Sequence, residues 1–190
     1  MKDRRLDTCE SCLGYGKLAG EMSRTTSRAL QAALVAFILL STVACDQASK
    51  NWARSTLRQH SIEAAGGHVQ LILTENRGAF LSLGSRLSPE LRTIFFSGVT
   101  ALALIGGLIW LFAHDHAVER LASVSLIVGG GFGNLVDRVL RFGAVTDFIF
   151  VRCGPLRTGI FNLADVFITT GALALLLAAA FHRRITPKKG

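Results

Sequence analysis

The sequence predicts an all-α membrane protein with four transmembrane helices, on three observations. Half of the 190 residues are apolar and only 18% are charged, below the roughly 25% of a soluble domain. Mean hydropathy is +0.42. The charges are gathered outside long apolar stretches, which approach the ~20 residues needed to cross a ~30 Å hydrocarbon core. The apolar content argues against disorder. Four cysteines without framework spacing do not make a disulfide scaffold. Net charge is +8, from 21 Lys and Arg against 13 Asp and Glu. In a soluble protein that excess would point to nucleic acid. Here it flanks membrane segments, and no nucleic-acid partner is expected.

The clearest span is 93–114, 22 residues without Asp, Glu, Lys or Arg. Residues 29–45 give 17 uncharged positions, 121–136 give 16, and 158–182 give 25 broken only by Asp165. Extended by polar residues at the interface, these become spans at about 29–49, 92–113, 118–138 and 160–182. An even number of spans puts both termini on one side. Arg24, Arg28, Arg183, Arg184, Lys188 and Lys189 favour the cytoplasm for that side. The bias is slight, because the proposed inside segments hold 11 Lys and Arg and the outside segments 10.

The chain divides into three pieces. Residues 1–25 are a polar, loosely ordered cytoplasmic extension, 26–184 the membrane domain, and 185–190 a basic cytoplasmic tail. Met22 is a candidate start of a shorter product. The larger soluble piece is 50–91, where Gly66-Gly67 signals a turn and residues 69–74 suit a strand. Gly78, Gly84 and Pro89 punctuate the rest of that piece. Residues 139–159 form a second loop on the same side.

The cysteines carry little. Cys9 and Cys12 form a lone CxxC in the polar extension, and a zinc site needs about four ligands. Arg24 and Arg28, an apolar stretch and Thr42-Val43-Ala44-Cys45 resemble a lipoprotein signal peptide ending at its cysteine. Thr42 stands where such sites usually have Leu, three more spans follow, and Asp46 and Lys50 continue the same helix. An uncleaved first span is the better reading.

Acidic groups near spans are costly and call for a reason. Asp46, Asp137, Asp147 and Asp165 all fall near span ends on one side. Asp46 and Lys50 are four apart on one helix face and can pair, as a depth anchor or as part of a site. Asn134 and Arg138 share a face, as do Asn162 and Asp165. Asp137 has Arg138 beside it and Arg141 four residues on, so it reads as an ion-paired structural acid that orients Arg138. Asp147 and Asp165 lie in apolar settings without a basic neighbour within four residues. Brought together, two such carboxylates would share one proton and could activate water. They could equally be unrelated acids or a proton relay. Gly129, Gly130, Gly131 and Gly133 suit close helix packing or room for a substrate helix.

Five pieces, in order, resemble those of signal peptidase II, the bacterial lipoprotein signal peptidase family of intramembrane aspartyl proteases. They are Asp46-Gln47-Ala48-Ser49-Lys50, Asn76-Arg77-Gly78-Ala79, Gly133-Asn134-Leu135-Val136-Asp137-Arg138, Val145-Thr146-Asp147-Phe148-Ile149 and Phe161-Asn162-Leu163-Ala164-Asp165. Together they cover about 29–182.

The resemblance implies a catalytic dyad of Asp147 and Asp165. It also implies supporting or substrate-contacting roles for Asp46, Lys50, Asn76, Gly78, Gly130, Asn134, Arg138, Asn162 and Ala164. It places a multi-pass protein in the bacterial inner membrane, with both termini cytoplasmic and the site near the outer face. Residues of about 55–91 would form a small extracytoplasmic β-cradle, and about 148–159 a flap loop. The substrate would be a diacylglyceryl-modified prolipoprotein, cut just before its lipidated cysteine among membrane lipids. No metal or cofactor is expected. The sequence departs from the family at Ala79-Phe80-Leu81, at Thr158-Gly159-Ile160 and in its long N-terminal extension. The alternative is a small proton-coupled transporter with Asp46, Asp147 and Asp165 as relay, although four spans with unequal loops offer no repeat symmetry.

Overall fold

A computed structural model describes residues 10–77, 88–113 and 117–185. Helix α1 is Glu10–Thr56, α2 is Pro89–Ala113, α3 is Val118–Leu140 and α4 is Leu163–Ile185. The last three fall within a few residues of the expected spans. Helix α1 is longer at both ends. It takes in residues 10–25, expected from the sequence to be a loosely ordered extension, and it runs through Cys45 unbroken to Thr56. Cys9, Gly78 and Gly84 lie outside the described residues.

Among the described residues, three helical stretches are long and apolar enough to cross a membrane: Ser27–Thr56, Thr93–Ala113 and Leu163–Phe181. Helix α3 is not among them, since it carries Glu119, Arg120, Asp137 and Arg138 as well as four glycines. Its composition reflects its place. It is the central helix, packed against α1, α2 and α4, so most of its surface meets protein.

Successive residues on an α-helix turn by about 100°, so three consecutive glycines address three directions. A Cβ on Gly129 would meet Thr42 of α1, at 2.9 Å. On Gly130 it would stand 2.5 Å from the Ala164 carbonyl oxygen of α4, and on Gly131 2.5 Å from Leu104 of α2. The glycine run is therefore the seam at which three helices close on α3.

Contacts along the helices give their directions. Thr42 and Asp46 face Gly129 and Gly133, so α1 and α3 run parallel. Gly130 faces Ala164 while Gly171 faces Ser123, so α4 runs antiparallel to α3. The C-termini of α1 and α3 and the N-terminus of α4 thus gather at one end. Towards the other end, Val35, Leu104, Leu111, Leu121 and Val128 form an apolar core.

A four-stranded antiparallel sheet in the order β1-β2-β3-β4 belongs to the first end. Its strands are β1 (Ile62–Ala64), β2 (Val69–Asn76), β3 (Val145–Cys153) and β4 (Leu156–Arg157). The expected glycine turn is present: Gly66 and Gly67 have φ of 64° and 84°, the left-handed region that suits glycine. The sheet joins two segments expected to be separate loops. In particular, 148–153, expected to begin a flap loop, lie in β3, with Val151 paired to Val69. The run Val145, Phe148, Ile149, Phe150, Val151 explains the strand, because it is apolar and rich in β-branched and aromatic residues. Phe148 packs with Ala53 and Leu57, fixing the sheet to the end of α1.

Candidate active site

Two local devices bring Asp147 and Asp165 to one place. The first is β-pairing. Strand β3 lies against β2 in a register that sets Asp147 opposite Thr74 and Val145 opposite Asn76. The residue just ahead of Asn162, Phe161, then bridges to β3: the Phe148 and Ile149 amides donate to its carbonyl oxygen at 3.0 and 2.8 Å, and its own amide donates to Ile149. Asn162 therefore arrives beside Asp147.

The second device is a helix cap. The Asp165 amide donates to Asn162 Oδ1 at 3.1 Å, and the Asn162 amide donates to Asp165 Oδ2 at 3.1 Å. This is a reciprocal capping box at the first turn of α4, with Asp in the place of the usual Glu. It satisfies two amides that the helix leaves open and fixes the Asp165 carboxylate.

Asn162 is fully buried and links the two acids. Its Nδ2 donates to Asp147 Oδ1 at 2.6 Å and to Asn134 Oδ1 at 3.1 Å. Asn134 Nδ2 donates in turn to Asp165 Oδ1 at 3.0 Å. Asn76 Nδ2, from the end of β2, donates to the other Asp147 oxygen at 2.9 Å. Asp147 is 3% exposed. Burial pushes its carboxyl up to about 6, and the Asp165 charge adds to this, while the bonds from Asn76 and Asn162 and the Lys50 charge oppose it.

Behind the pair stands a buried ionic lattice. Lys50 Nζ reaches Asp46 at 2.9 Å, Asp137 at 3.2 Å and Asn134 Oδ1 at 2.9 Å, so its three protons have three partners. Asp46, Lys50 and Asp137 are all 0% exposed. The Ala164 amide donates to Asp46 Oδ1 at 3.0 Å, and Gln47 Nε2 donates to Asp46 Oδ2 and to the Gly133 carbonyl. A side chain on Gly133 would strike the Asp46 carboxylate. Asp137 Oδ2 accepts the Thr146 amide at 2.9 Å, one residue before Asp147. A single ammonium thus braces Asp165 through Asn134, and Asp147 through Asp137 and Thr146.

The expected residues are brought together, with two revisions. Asp46, Lys50, Asn76, Asn134, Asn162 and Ala164 all join this network. Gly130 serves the α3–α4 contact, and Gly78 lies outside the described residues. Arg138 is half-buried within the field of Asp165, Asp147 and Asp137, yet its guanidinium makes no hydrogen bond or ion pair among the described residues. Asp137 does not orient it. Asp137 pairs instead with Lys50, and at 3.6 Å with Arg54 and Arg141. Sequence reasoning misses Arg54 and Thr146. Arg54 donates to Thr146 Oγ1 at 2.8 Å, and its spacing of four beyond Lys50 is the available signal. Cys45 and Cys153 are exposed free thiols.

Comparison with known proteins identifies relatives of the whole membrane part of the chain. The family model described as signal peptidase (SPase) II matches residues 38–181, most of the chain. A lipoprotein signal peptidase of Dichelobacter nodosus is 40% identical over 154 residues, 78% of this chain and 96% of that protein. One from Azoarcus sp. is 38% identical over 149 residues, covering 76% and 81%. A bacterial membrane enzyme solved in meso at 1.9 Å superposes with a TM-score of 0.69 at 27% identity, covering 77% of this chain and 92% of that one. A second, at 2.3 Å, gives 0.71 at 27% identity, covering 83% and 94%.

Proposed function

The chain belongs to the signal peptidase II family, and from that premise we propose that it is an aspartyl endopeptidase whose Asp147 and Asp165 activate water together. Its relatives are named lipoprotein signal peptidases, and its function is removal of signal peptides from prolipoproteins. The finer reading is a cut just before a diacylglyceryl-modified cysteine. The transporter reading finds no support among these relatives.

The observation that carries the mechanism is the Asn162 bridge, which ties both carboxylates to one residue: Asp147 accepts from its side-chain amide and Asp165 from its backbone amide. With one proton held between the two acids, the ionised member takes a proton from water as the protonated member donates to the scissile carbonyl oxygen. The resulting diol collapses as one acid takes a hydroxyl proton and the other protonates the leaving nitrogen. One carboxylic acid, one new amine and the original single proton on the dyad remain. A carboxyl near 6, as for Asp147, keeps a useful protonated fraction close to neutrality. No cofactor or metal enters these steps. Arg138, beside both acids, is assigned to a substrate oxygen, and the β3–β4 hairpin with its Gly154 turn to covering the bound peptide.

The same reading makes α3 the fourth span. It lies alongside three helices that can each cross a bilayer, so it crosses where they do. Arg28 and the basic C-terminal tail favour cytoplasmic termini, which would put the site near the outer face of the inner membrane.

Single-turnover cleavage of a lipidated precursor tests the assignment. Asp147→Asn and Asp165→Asn should each lower the rate by about 10³-fold or more, and the double variant should be no worse than either, because the pair acts as a unit. Asp137→Asn should retain measurable turnover per folded molecule. Substantial cleavage by Asp147→Asn, beside a folded but inactive Asp137→Asn, would show the wrong acid in the dyad.

A further inference from the structure

We propose that the ends of α1 and α3 form a binding site for the phosphodiester headgroup of an anionic phospholipid. Asn51, Arg54, Ser55, Arg58 and Arg141 line a cavity of about 410 Å³. The first three lie on the last turns of α1, Arg58 follows just beyond it, and Arg141 caps α3. Three guanidiniums and no carboxylate face this space. The acid behind it, Asp137, is fully buried and shared with Lys50 and the Thr146 amide. Glu75 also acts on Arg54, but it does not line the cavity, and the three arginines leave the lining positive.

Cations at helix C-termini are favoured by the helix dipole alone, but two observations go further. Arg141 Nε and Asp137 Oδ1 are buried without a hydrogen-bond partner, 3.6 Å apart. Arg58 is exposed and has no hydrogen-bond or ion-pair partner among the described residues. A planar, forked donor left open beside two others is suited to phosphate oxygens.

The surroundings favour a lipid as the source of that phosphate. Phe142, next to Arg141, is 90% exposed and adopts φ of 51°, a conformation rare for a bulky residue, which ends α3 with the ring outward. Trp52 on α1 is 44% exposed, and Val139 and Leu140 are about as open as lipid-facing residues elsewhere on the bundle. Aromatic rings beside basic residues mark the headgroup level of a bilayer. A phosphodiester seated on Arg58 and Arg141 would leave its acyl chains along the apolar sides of α1 and α3.

The test titrates the purified full-length protein in detergent with dioleoylphosphatidylglycerol or dioleoylphosphatidylcholine, and counts retained lipid by native mass spectrometry. The anionic lipid should be retained at lower concentration than the zwitterionic one. Arg58→Gln and Arg141→Gln should each weaken its retention about fivefold, from roughly 1 kcal/mol per basic contact, with phosphatidylcholine retention unchanged. Arg58→Gln alters an exposed side chain, so it stays informative should Arg141→Gln fold poorly. Equal retention of the two lipids, or retention of phosphatidylglycerol unchanged by Arg58→Gln, overturns the proposal. Displacement of the anionic lipid by inorganic phosphate at comparable concentration would make the site one for free anions and overturn the lipid assignment.

Discussion

The two ends of the bundle are held together by opposite means. At the end away from the sheet, Val35, Leu104, Leu111, Leu121 and Val128 meet in an apolar core. At the sheet end the contacts between helices are Asp46, Lys50, Asn134, Asp137 and Asn162, all buried and hydrogen-bonded. In a bilayer, apolar side chains gain little by leaving lipid for protein, so an apolar core specifies its partners only through fit. Buried polar groups discriminate more sharply, since each wrong arrangement leaves a group unsatisfied. The end that must hold two carboxylates in a fixed relation is the end built of polar contacts.

The largest effect should come from removing the hub of that end. Lys50→Met leaves Asp46 and Asp137 buried without their common cation, which costs about 3–5 kcal/mol. Val35→Ala at the other end removes two methyl groups and should cost about 1 kcal/mol. Reversible unfolding in mixed micelles, followed for both variants, measures the contrast. Equal losses would mean that the polar lattice holds nothing together that lipid-like packing does not.

Much of this is legible in the sequence. The last three helices can be read to within a few residues because long apolar runs exclude charge, whereas α1 overruns its apolar run at both ends. The Asp46–Lys50 pair comes from helical spacing, as does the pairing of Asn162 with Asp165. The features that escape depend on partners far along the chain. Strand β3 pairs with β2 across about 70 to 80 residues, and its apolar, β-rich run marks a strand without naming the partner it pairs with. Sequence proximity assigns Asp137 to Arg138. Its partner on the same helix is Arg141, as the spacing of four indicates, and the others, Lys50, Arg54 and the Thr146 amide, lie on α1 and β3. Local spacing reads pairs on one element and is blind to those between elements.

A second contrast concerns pH. Asp147 rises from 3.8 to about 6 on folding, chiefly through burial. A carboxyl raised in the folded state gives stability that is full below the unfolded value and is lost as pH rises through the folded one. Between about pH 4 and 6 the sheet end should therefore weaken by up to roughly 3 kcal/mol, at 1.36 kcal/mol per unit. Asp147→Asn should flatten that part of the Tm profile, while Val35→Ala should shift it without changing its shape. Turnover should also fall on the alkaline side once the shared proton is lost, at an apparent value belonging to the pair. A Tm profile for Asp147→Asn parallel to the parent's would assign the pH dependence to another group.

The smallest substitution tests how the seam between the two ends transmits to the site. Gly130 lies against the Ala164 carbonyl, and an added Cβ would stand 2.5 Å from that oxygen and 2.8 Å from Ile168. Neither backbone can yield alone, so Gly130→Ala must push α3 and α4 apart, at about 1–3 kcal/mol. Ala164 is also the residue whose amide holds Asp46, and Asp165 follows it directly. A shift of α4 thus moves one carboxylate relative to the other, which is fixed on β3. Displacements near 1 Å at reacting groups cost about 10²-fold in rate, so activity should fall much further than stability. Gly106 on α2 is the control: a Cβ there meets nothing within 4 Å, and Gly106→Ala should stabilise its helix by up to about 1 kcal/mol with turnover unchanged. The measurement is kcat at saturating lipidated precursor, set beside the unfolding midpoint for each variant. A Gly130→Ala protein that keeps full kcat despite its lowered midpoint would mean that the dyad rides with the sheet and the cap, independent of the helix seam.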